Sequence, residues 1–172
     1  DYKESFNLVE LFMNTLDMKS KKKIVFLNCE DIFQQIVSKN KKEIISLLGI
    51  KNYSTKRWSR NVSLLDFEKL LKNKFINLND LPKNAGLRFY NSPHNLPVNF
   101  PITNELLNLL GYYTAEGYSR SNKWVSQIAF RISNIDLQKH LIKLINNVFG
   151  IKPNLGEENS KITICSKIVY LL

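Results

Sequence analysis

One acidic residue, Glu116, stands at the end of an apolar stretch and is the side chain best placed to do chemistry. The stretch runs from Asn104 to Gly117 and reads NELLNLLGYYTAEG. Its leucines and tyrosines predict a largely buried helix, which Thr103 can cap at its start and Gly117 can end. A carboxylate at the foot of a buried helix is costly unless a positive group meets it, as a divalent metal ion would. Glu116 is therefore a candidate metal ligand.

Two small residues, Gly111 and Ala115, are four positions apart and lie on one face of this predicted helix. Small side chains at this spacing let a second helix approach closely. We therefore expect Gly111 and Ala115 to form a helix–helix interface, with Glu116 one residue beyond it.

The sequence after this acid changes to a repeat of two, which is typical of half-buried antiparallel strands. In residues 124–132 (WVSQIAFRI), Ile128, Phe130 and Ile132 point one way and the polar residues point the other. From residue 105 onward the predicted order is helix, strand, strand, helix, strand, strand and helix start. The later elements are predicted at residues 136–149, 151–155, 161–165 and 168–172.

The segment LLGYYTAEG, residues 109–117, resembles the LAGLIDADG motif of homing endonucleases. The sequence GYYTAEGY around it is similar to the endonuclease part of archaeal inteins, which is of the DOD type. The resemblance implies an α+β fold in which residues 104–172 are one αββαββα half-domain with a truncated third helix. It also implies site-specific hydrolysis of double-stranded DNA that depends on Mg²⁺ or Mn²⁺.

In this family two motif helices, one from each half, pack side by side, and their terminal acids share the metal ions. Only Glu116 matches such an acid here, because the chain carries one motif. The resemblance thus implies a second half, which either lies downstream in a longer chain or is supplied by a second copy. The unfinished helix at Leu172 and the missing initial Met lead us to expect the downstream half.

Two further catalytic residues follow from the resemblance. Asn134 matches a polar residue that the family places near the attacking water, although it can equally cap the helix that follows. A basic residue after the fourth strand would stabilise charge at the scissile phosphate. Lys167 is the first candidate for this role and Lys161 the second, and both can also be plain surface lysines.

The polar face of the first strand pair would lie in the major groove of the bound DNA. Arginine and glutamine suit paired hydrogen bonds with base edges. The side chains expected on this face are Tyr118, Arg120, Asn122, Gln127 and Arg131.

The charge of the chain also favours nucleic acid as a partner, with solubility as the alternative explanation. The net charge is +10, and residues 19–74 carry 14 Lys and Arg against 5 Asp and Glu, a balance of +9. Within this part, a helix, an LGI turn and a basic aromatic segment follow each other as in a helix-turn-helix. Lys56, Arg57 and Arg60 around Trp58 would face DNA, or they form a basic loop whose Trp58 holds the local core.

We divide the chain into a helical basic region (1–80), a linker (81–103) that holds four of the five prolines, and the half-domain (104–172). A membrane partner is not expected, because the sequence has no apolar run of 18 residues and no signal peptide. Cys29 and Cys165 lack CxxC spacing and are predicted to be buried free thiols, which fits a cytoplasmic location.

Other functions remain open on the sequence alone. One alternative is a DNA-binding regulator that keeps the fold without cleaving DNA, and another is an RNA maturase of the same fold that binds intron RNA. The presence of Glu116 favours the enzyme over the regulator. A helical protein with an accidental GYYTAEG match is the last alternative.

Overall fold

The computed structural model describes residues 4–51, 55–122, 125–156 and 160–172. The chain divides into two compact units. Phe6–Phe100 form the first, and Pro101–Leu172, with the chain start up to Ser5, form the second. Both units contain helices and strands, which confirms the mixed α and β class predicted from the sequence. None of the helices in the described ranges combines the length and hydropathy needed to cross a bilayer.

The chain up to residue 101 alternates short strands with helices. The elements in chain order are β1 (Ser5–Asn7), α1 (Leu8–Thr15), α2 (Met18–Lys21), β2 (Ile24–Leu27), α3 (Glu30–Lys39), α4 (Lys41–Leu48), α5 (Thr55–Ser59), α6 (Leu64–Lys72), a 3₁₀ turn (Leu78–Asp80), β3 (Gly86–Phe89), β4 (Asn95–Pro97) and β5 (Asn99–Pro101). Strands β2, β3 and β4 form an antiparallel sheet in that order, and β1 pairs with β5.

An aromatic cluster forms the core of the first unit. The ring of Phe26, on β2, lies 4.7 Å from that of Phe67 and 5.7 Å from that of Phe33, measured between centroids. Trp58 lies 6.0 Å from Phe33, and its Nε1 donates to Asp66 Oδ2 at 3.1 Å. Burial of rings this large stabilises the fold by about 2–3 kcal/mol each. The cluster therefore ties β2 to α3, α5 and α6.

Residues 81–103 do not form the extended linker that their prolines predict. They contain β3, β4 and β5, and Leu87 and Leu96 are almost completely buried in the first unit. Pro97 and Pro101 stand at the ends of β4 and β5, where a strand tolerates a missing N–H group. Residues 1–80, predicted to be a helical region, also contain strand β2.

The second unit builds one sheet against helices. Its elements in chain order are α7 (Asn104–Glu116), β6 (Gly117–Ser121), β7 (Ser126–Arg131), α8 (Ile135–Phe149), β8 (Asn154–Leu155), β9 (Lys161–Ile164) and α9 (Lys167–Tyr170). The sheet has the order β6-β7-β9-β8, and each neighbouring pair is antiparallel.

Local signals set the ends of the two long helices. The Thr103 hydroxyl accepts from the Leu106 N–H at 3.1 Å and starts α7. Gly150 ends α8 in the left-handed region, with φ of +64°. Helix α7 contacts α8 and β7, and the Tyr113 ring meets that of Phe130 edge-on at 6.2 Å. These contacts set the position of the C-terminal end of α7 at the edge of the sheet.

Candidate functional site

Glu116 is the last residue of α7, and Gly117 begins β6 with no loop between them. The Gly117 N–H donates to the Tyr113 carbonyl oxygen and closes the helix. A Cβ atom added at Gly117 would stand 2.5 Å from that oxygen, so the junction needs glycine. The tight junction therefore determines where the Glu116 carboxylate leaves the backbone.

The surroundings of Glu116 fit a divalent cation. Its side chain is exposed and makes no hydrogen bond or ion pair with a described residue. It stands at a helix C-terminus, where the peptide dipoles carry partial negative charge and disfavour a carboxylate. Carboxylate and backbone carbonyl oxygens are the hard ligands that Mg²⁺ and Mn²⁺ prefer. A cation bound here would relieve the repulsion.

This end of α7 does not complete a metal centre by itself. Across the described ranges, no group of three or more His, Cys, Asp and Glu side chains converges to hold a metal ion. One carboxylate and nearby carbonyl groups leave most of an octahedral shell to other ligands. A metal ion bound by Glu116 therefore needs further ligands from water, nucleic acid or a second protein segment.

Asn134 caps α8, as the sequence allowed. Its Oδ1 accepts from the Asp136 N–H at 2.9 Å and from the Leu137 N–H at 3.0 Å. Because β7 runs antiparallel to β6, the segment after β7 lies at the same end of the sheet as Glu116. The capping bonds use the oxygen of the amide, so its Nδ2 group remains a possible donor.

Arg131 and Lys161 pair across β7 and β9 at the end of the sheet nearest Glu116. They stand one position beyond the first β6–β7 pair, and neighbouring strands are about 4.8 Å apart. Lys161 Nζ lies 5.9 Å from the centre of the Tyr118 ring. Two cationic side chains and one carboxylate therefore share this end of the sheet.

Lys167, the first candidate for the basic residue at the scissile phosphate, lies at the opposite end of the β6–β7 hairpin from Glu116. It begins α9, and its Nζ donates to Ser126 Oγ at 2.9 Å, while the Ser121 and Ser126 hydroxyl oxygens lie 2.8 Å apart. These serines close the far end of the β6–β7 hairpin, about 13 Å along β6 from its start. By position, Lys161 is the better basic partner for Glu116.

The strand face opposite to Phe130 carries most of the predicted DNA-reading side chains, namely Tyr118, Arg120, Gln127 and Arg131. With the Gln127 amide turned so that its oxygen faces Arg120, the guanidinium Nε and a terminal nitrogen donate to it at 3.1 and 3.2 Å. Gln127 is only 6% exposed, so it orients Arg120 and does not itself reach a base. Tyr118 is 42% exposed and open to a ligand.

Asn122 belongs to the hairpin turn and not to the strand face. Its Oδ1 accepts from the Val125 N–H at 2.8 Å, and its own N–H donates to the Val125 carbonyl at 2.8 Å. These bonds leave Asn122 a structural role that the alternating pattern did not predict. The predicted turn at Lys123 and strand start at Trp124 lie outside the described residues.

The predicted helix–helix face of α7 is open. Leu107 and Leu110 are 54% and 50% exposed, and Gly111 and Ala115 are exposed beside them. A Cβ atom added at Gly111 would meet no described atom within 4 Å. The face therefore offers an apolar surface with room for a second backbone.

The prediction of a largely buried α7 is wrong for the chain by itself. Leu106 and Leu109 are the residues of this helix that are buried. They lie on one side of α7, which packs on α8 and β7. The apolar residues of α7 are spread around the helix, but the described elements that pack against it, α8 and β7, cover one side.

The predicted DNA-facing group of the first unit is divided. Lys56 and Arg57 on α5 are exposed, whereas Arg60 Nε donates to Glu30 Oε1 at 2.9 Å. Trp58 is 9% exposed, so it serves the local core and does not stack on a base. Residues 52–54, which precede α5, lie outside the described part of the chain.

An ion network in the first unit was not predicted. Glu68 lies between Lys21 and Lys72, whose Nζ atoms are 2.9 and 2.8 Å from its carboxylate oxygens. The hydrogen bond from Lys72, together with Lys21, holds the pKa of Glu68 below its usual value despite partial burial. The sequence keeps Lys21 and Glu68 47 positions apart, so no periodic pattern signals this contact.

The two cysteines differ in their surroundings. Cys29 is buried, and burial raises the pKa of its thiol to about 11. Cys165 is exposed, so the prediction of a buried thiol is wrong there. It follows β9, where the strand alternation gives way to α9 and no longer determines which way a side chain points.

Comparisons with known proteins include a partial match to part of a larger protein. A scan of the sequence against models of protein families finds no match. A 67-residue stretch is 37% identical to the DNA polymerase II large subunit of Thermococcus kodakarensis. The match covers 39% of this chain but 4% of that subunit, so the chain spans a small fraction of the relative's length.

Proposed function

We propose that the chain is part of a metal-dependent, site-specific DNA homing endonuclease, in which residues 104–172 form one LAGLIDADG half. The observation that carries the proposal is the position of Glu116. It is an exposed carboxylate without a described partner, at the C-terminus of a helix with an open apolar face. A negative charge at a helix C-terminus does not stabilise the helix, so we infer that Glu116 serves to bind a ligand.

The residues around Glu116 suit phosphodiester hydrolysis, which needs an activated water and relief of negative charge on the phosphate. Glu116 and carbonyl oxygens of the last turn of α7 would hold Mg²⁺ or Mn²⁺, and the bound ion supplies both effects. Lys161 and Arg131 share the same end of the sheet and would hold the scissile phosphate by charge-assisted bonds. Asn134 would orient a water molecule through Nδ2.

A second half completes the centre. The open face of α7 carries Leu107, Leu110, Gly111 and Ala115, and the glycine permits close backbone approach. Covering the two half-exposed leucines would stabilise such an interface by about 1–2 kcal/mol from each helix. The partner is a second copy of this chain or a second half in a longer parent protein. Either arrangement sets two acids side by side.

Double-stranded DNA is the proposed substrate. The sheet face with Tyr118 and Arg120 suits the major groove, which admits a two-stranded β-ribbon. Arg120, oriented by Gln127, can donate to guanine O6 and N7. Exposed Lys56 and Arg57 would add phosphate contacts that position the protein without reading sequence.

The origin of the chain in an intein is part of the proposal. A match confined to 4% of a DNA polymerase II large subunit fits a mobile segment that is carried within a host protein. Together with the GYYTAEGY wording, it supports an intein-borne endonuclease that works in the cytoplasm, where host DNA is accessible.

The proposal is tested on genomic DNA from related organisms whose genomes lack the coding sequence of this chain, because insertion of that sequence interrupts the recognition site in the host genome. Two proteins are used, the 172-residue chain and a tandem fusion of two copies, each with and without Glu116→Gln. After incubation with Mg²⁺ or Mn²⁺, sequencing of the new 5′-phosphate ends maps any cuts. We expect recurrent cuts at one or a few sites, lost on addition of EDTA and in the variant.

Two outcomes decide against the enzyme. If the unchanged proteins bind duplex DNA tightly but give no recurrent cuts, the chain is a DNA-binding regulator. If they bind structured intron RNA in preference to duplex DNA, the maturase function replaces the endonuclease. Cleavage that persists in the Glu116→Gln variant would show that Glu116 is not a metal ligand.

A further inference from the structure

The first unit contains a basic surface that the proposed cleavage chemistry does not use. It forms where α2 contacts α6, and we call it the α2–α6 surface. The two segments that form it, residues 17–23 and 66–74, carry Lys19, Lys21, Lys22, Lys23, Lys69, Lys72 and Lys74. The sequence alone does not predict this surface, because its two segments are far apart along the chain.

Glu68 joins the two segments. Its Oε2 accepts from Lys21 Nζ at 2.9 Å, and its Oε1 accepts from Lys72 Nζ at 2.8 Å. Lys21 is 8% exposed, so its charge is used within the protein, whereas the Lys72 side chain remains 71% exposed. The carboxylate thus holds α2 against α6 without neutralising the surface around it.

The other acids of the two segments are already engaged. Asp17 accepts from the Ser20 N–H at the start of α2, and Asp66 accepts from the indole N–H of Trp58. Residues 17–23 and 66–74 together carry seven lysines against three acids, a balance of +4. The surface therefore keeps an excess of positive charge that its own acids do not offset.

Three lysines of the α2 segment are free to meet a ligand. Lys19, Lys22 and Lys23 are exposed and make no ion pair with a described residue. Like charges held this close repel each other, and an extended set of cations suits a polyanion whose charges are also extended.

A membrane surface is a poorer fit to the same lysines. Helix α2 has four residues, and its exposed apolar side chain is Met18. A helix that lies in a membrane surface needs a continuous apolar face along its length, which so short a helix does not provide. Duplex DNA needs only phosphates within reach of the lysines.

We infer that the α2–α6 surface binds the phosphate backbone of duplex DNA. This binding goes beyond the proposed cleavage because it involves neither Glu116 nor any residue of the second unit. It is independent of base sequence, since lysine–phosphate contacts carry no sequence information directly. The first unit thus increases the time that the chain spends on DNA.

The test compares two matched triple variants of the full chain. The first is Lys19→Gln with Lys22→Gln and Lys23→Gln, and the second is Lys139→Gln with Lys143→Gln and Lys152→Gln. All six lysines are exposed, and the one ion pair lost, between Lys139 and Asp136, is itself exposed, so we expect both variants to fold while losing the same charge. Binding to a duplex of random sequence is measured at several salt concentrations, with vesicles containing phosphatidylserine as a second probe.

We expect the first variant to bind the duplex about 10-fold or more weakly, and the second to change less than about 3-fold. Each lost phosphate contact lowers the slope of log K against log salt by about 0.9, so the first variant loses about 2–3 units of slope. If both variants lose the same affinity for the duplex, the loss reflects net charge alone, and the inference is overturned. So would vesicle binding that depends on these lysines while duplex binding does not. Glu116→Gln leaves this binding intact, so failure of cleavage and failure of this surface are distinguishable.

Discussion

At the scale of single residues, Glu68 links two helices of the first unit through its two lysine partners. It accepts from Lys21, which is almost completely buried, and from the exposed Lys72. Loss of the carboxylate would leave the Lys21 ammonium without its counterion in a poorly hydrated position. Loss of the ion pair with Lys21 should therefore lower the free energy of unfolding more than loss of the pair with Lys72.

Replacement of Glu68 by Gln is expected to lower the free energy of unfolding by about 1–3 kcal/mol. Lys72→Gln, the matched control, removes an exposed partner and is expected to cost less than about 0.5 kcal/mol. Urea denaturation at pH 7 measures both. Equal effects of the two changes would contradict the role given to Lys21.

The same residue predicts how stability depends on pH. The folded-state pKa of Glu68 is lowered, first by the hydrogen bond from Lys72, so the folded state favours the ionised form. Its contribution is present above the pKa of a free glutamate, about 4.3, and is lost as pH falls through the folded-state pKa. The difference in stability between the unchanged chain and Glu68→Gln should therefore narrow below about pH 4. A difference that widens in acid would reverse the sign of the effect.

The two cysteines give a third prediction at this scale. With a pKa of about 11, Cys29 holds little thiolate at pH 8, and its side chain is buried, whereas Cys165 is exposed. A thiol reagent such as DTNB should modify one thiol in the native chain and two in denaturant, and Cys165→Ser should abolish the native reaction. Rapid native reaction of Cys165→Ser would contradict the burial of Cys29.

At the scale of elements, α7 and its junction with β6 position the candidate site. Two glycines of this segment have opposite surroundings. A Cβ atom at Gly117 would lie 2.5 Å from the Tyr113 carbonyl oxygen, whereas one at Gly111 would meet no described atom within 4 Å. A larger side chain is therefore accommodated at the exposed face of α7 but not at its junction with β6.

Alanine at these two positions should have opposite effects on stability. Gly117→Ala is expected to destabilise the chain by about 1–3 kcal/mol, because the α7–β6 junction must shift. Gly111→Ala is expected to stabilise it by about 0.5–1 kcal/mol, because alanine favours an exposed helix interior. Thermal and urea unfolding measure both changes. A neutral Gly117→Ala would show that the junction does not hold Glu116 in place.

How far the sequence predicts the structure depends on how local the signal is. The period of 3.6 in α8 and the period of two in β7 placed those elements within a few residues, and Glu116 is proposed as a site residue from its own short motif. Strand β3 was missed because it is short and is held by pairing with the distant β2. Strand β4 was missed because it is short, ends in Pro97 and is held by pairing with β3. Local patterns do not encode such pairing.

The same limit explains the errors in the candidate site. The resemblance ranked Lys167 above Lys161 because it implies a basic residue at the end of the fourth strand, but strand register places Lys161 at the end of the sheet near Glu116. Asn122 and Gln127 both fit the polar alternation, yet one closes the turn and the other is buried against Arg120. Roles that depend on neighbours across the sheet could not be predicted from alternation.

At the scale of the whole molecule, the two units carry different shares of the charge. The first unit has 16 Lys and Arg against 8 Asp and Glu, a balance of +8, whereas the remainder contributes +2 of the total of +10. The unit without the motif thus supplies most of the attraction to a polyanion. This distribution fits the proposal that the first unit retains DNA while the second carries the cleavage site.

The most direct measurement is metal-dependent cleavage at a site mapped on genomic DNA. A plasmid carrying that site is incubated with the tandem fusion, and strand breaks are counted against Mg²⁺ concentration, while DNA affinity is measured separately. We predict cleavage that requires the metal and falls more than about 100-fold in Glu116→Gln, with affinity changed less than about 3-fold. Equal cleavage by the Glu116→Gln fusion, or tight binding without any cleavage, would contradict the endonuclease.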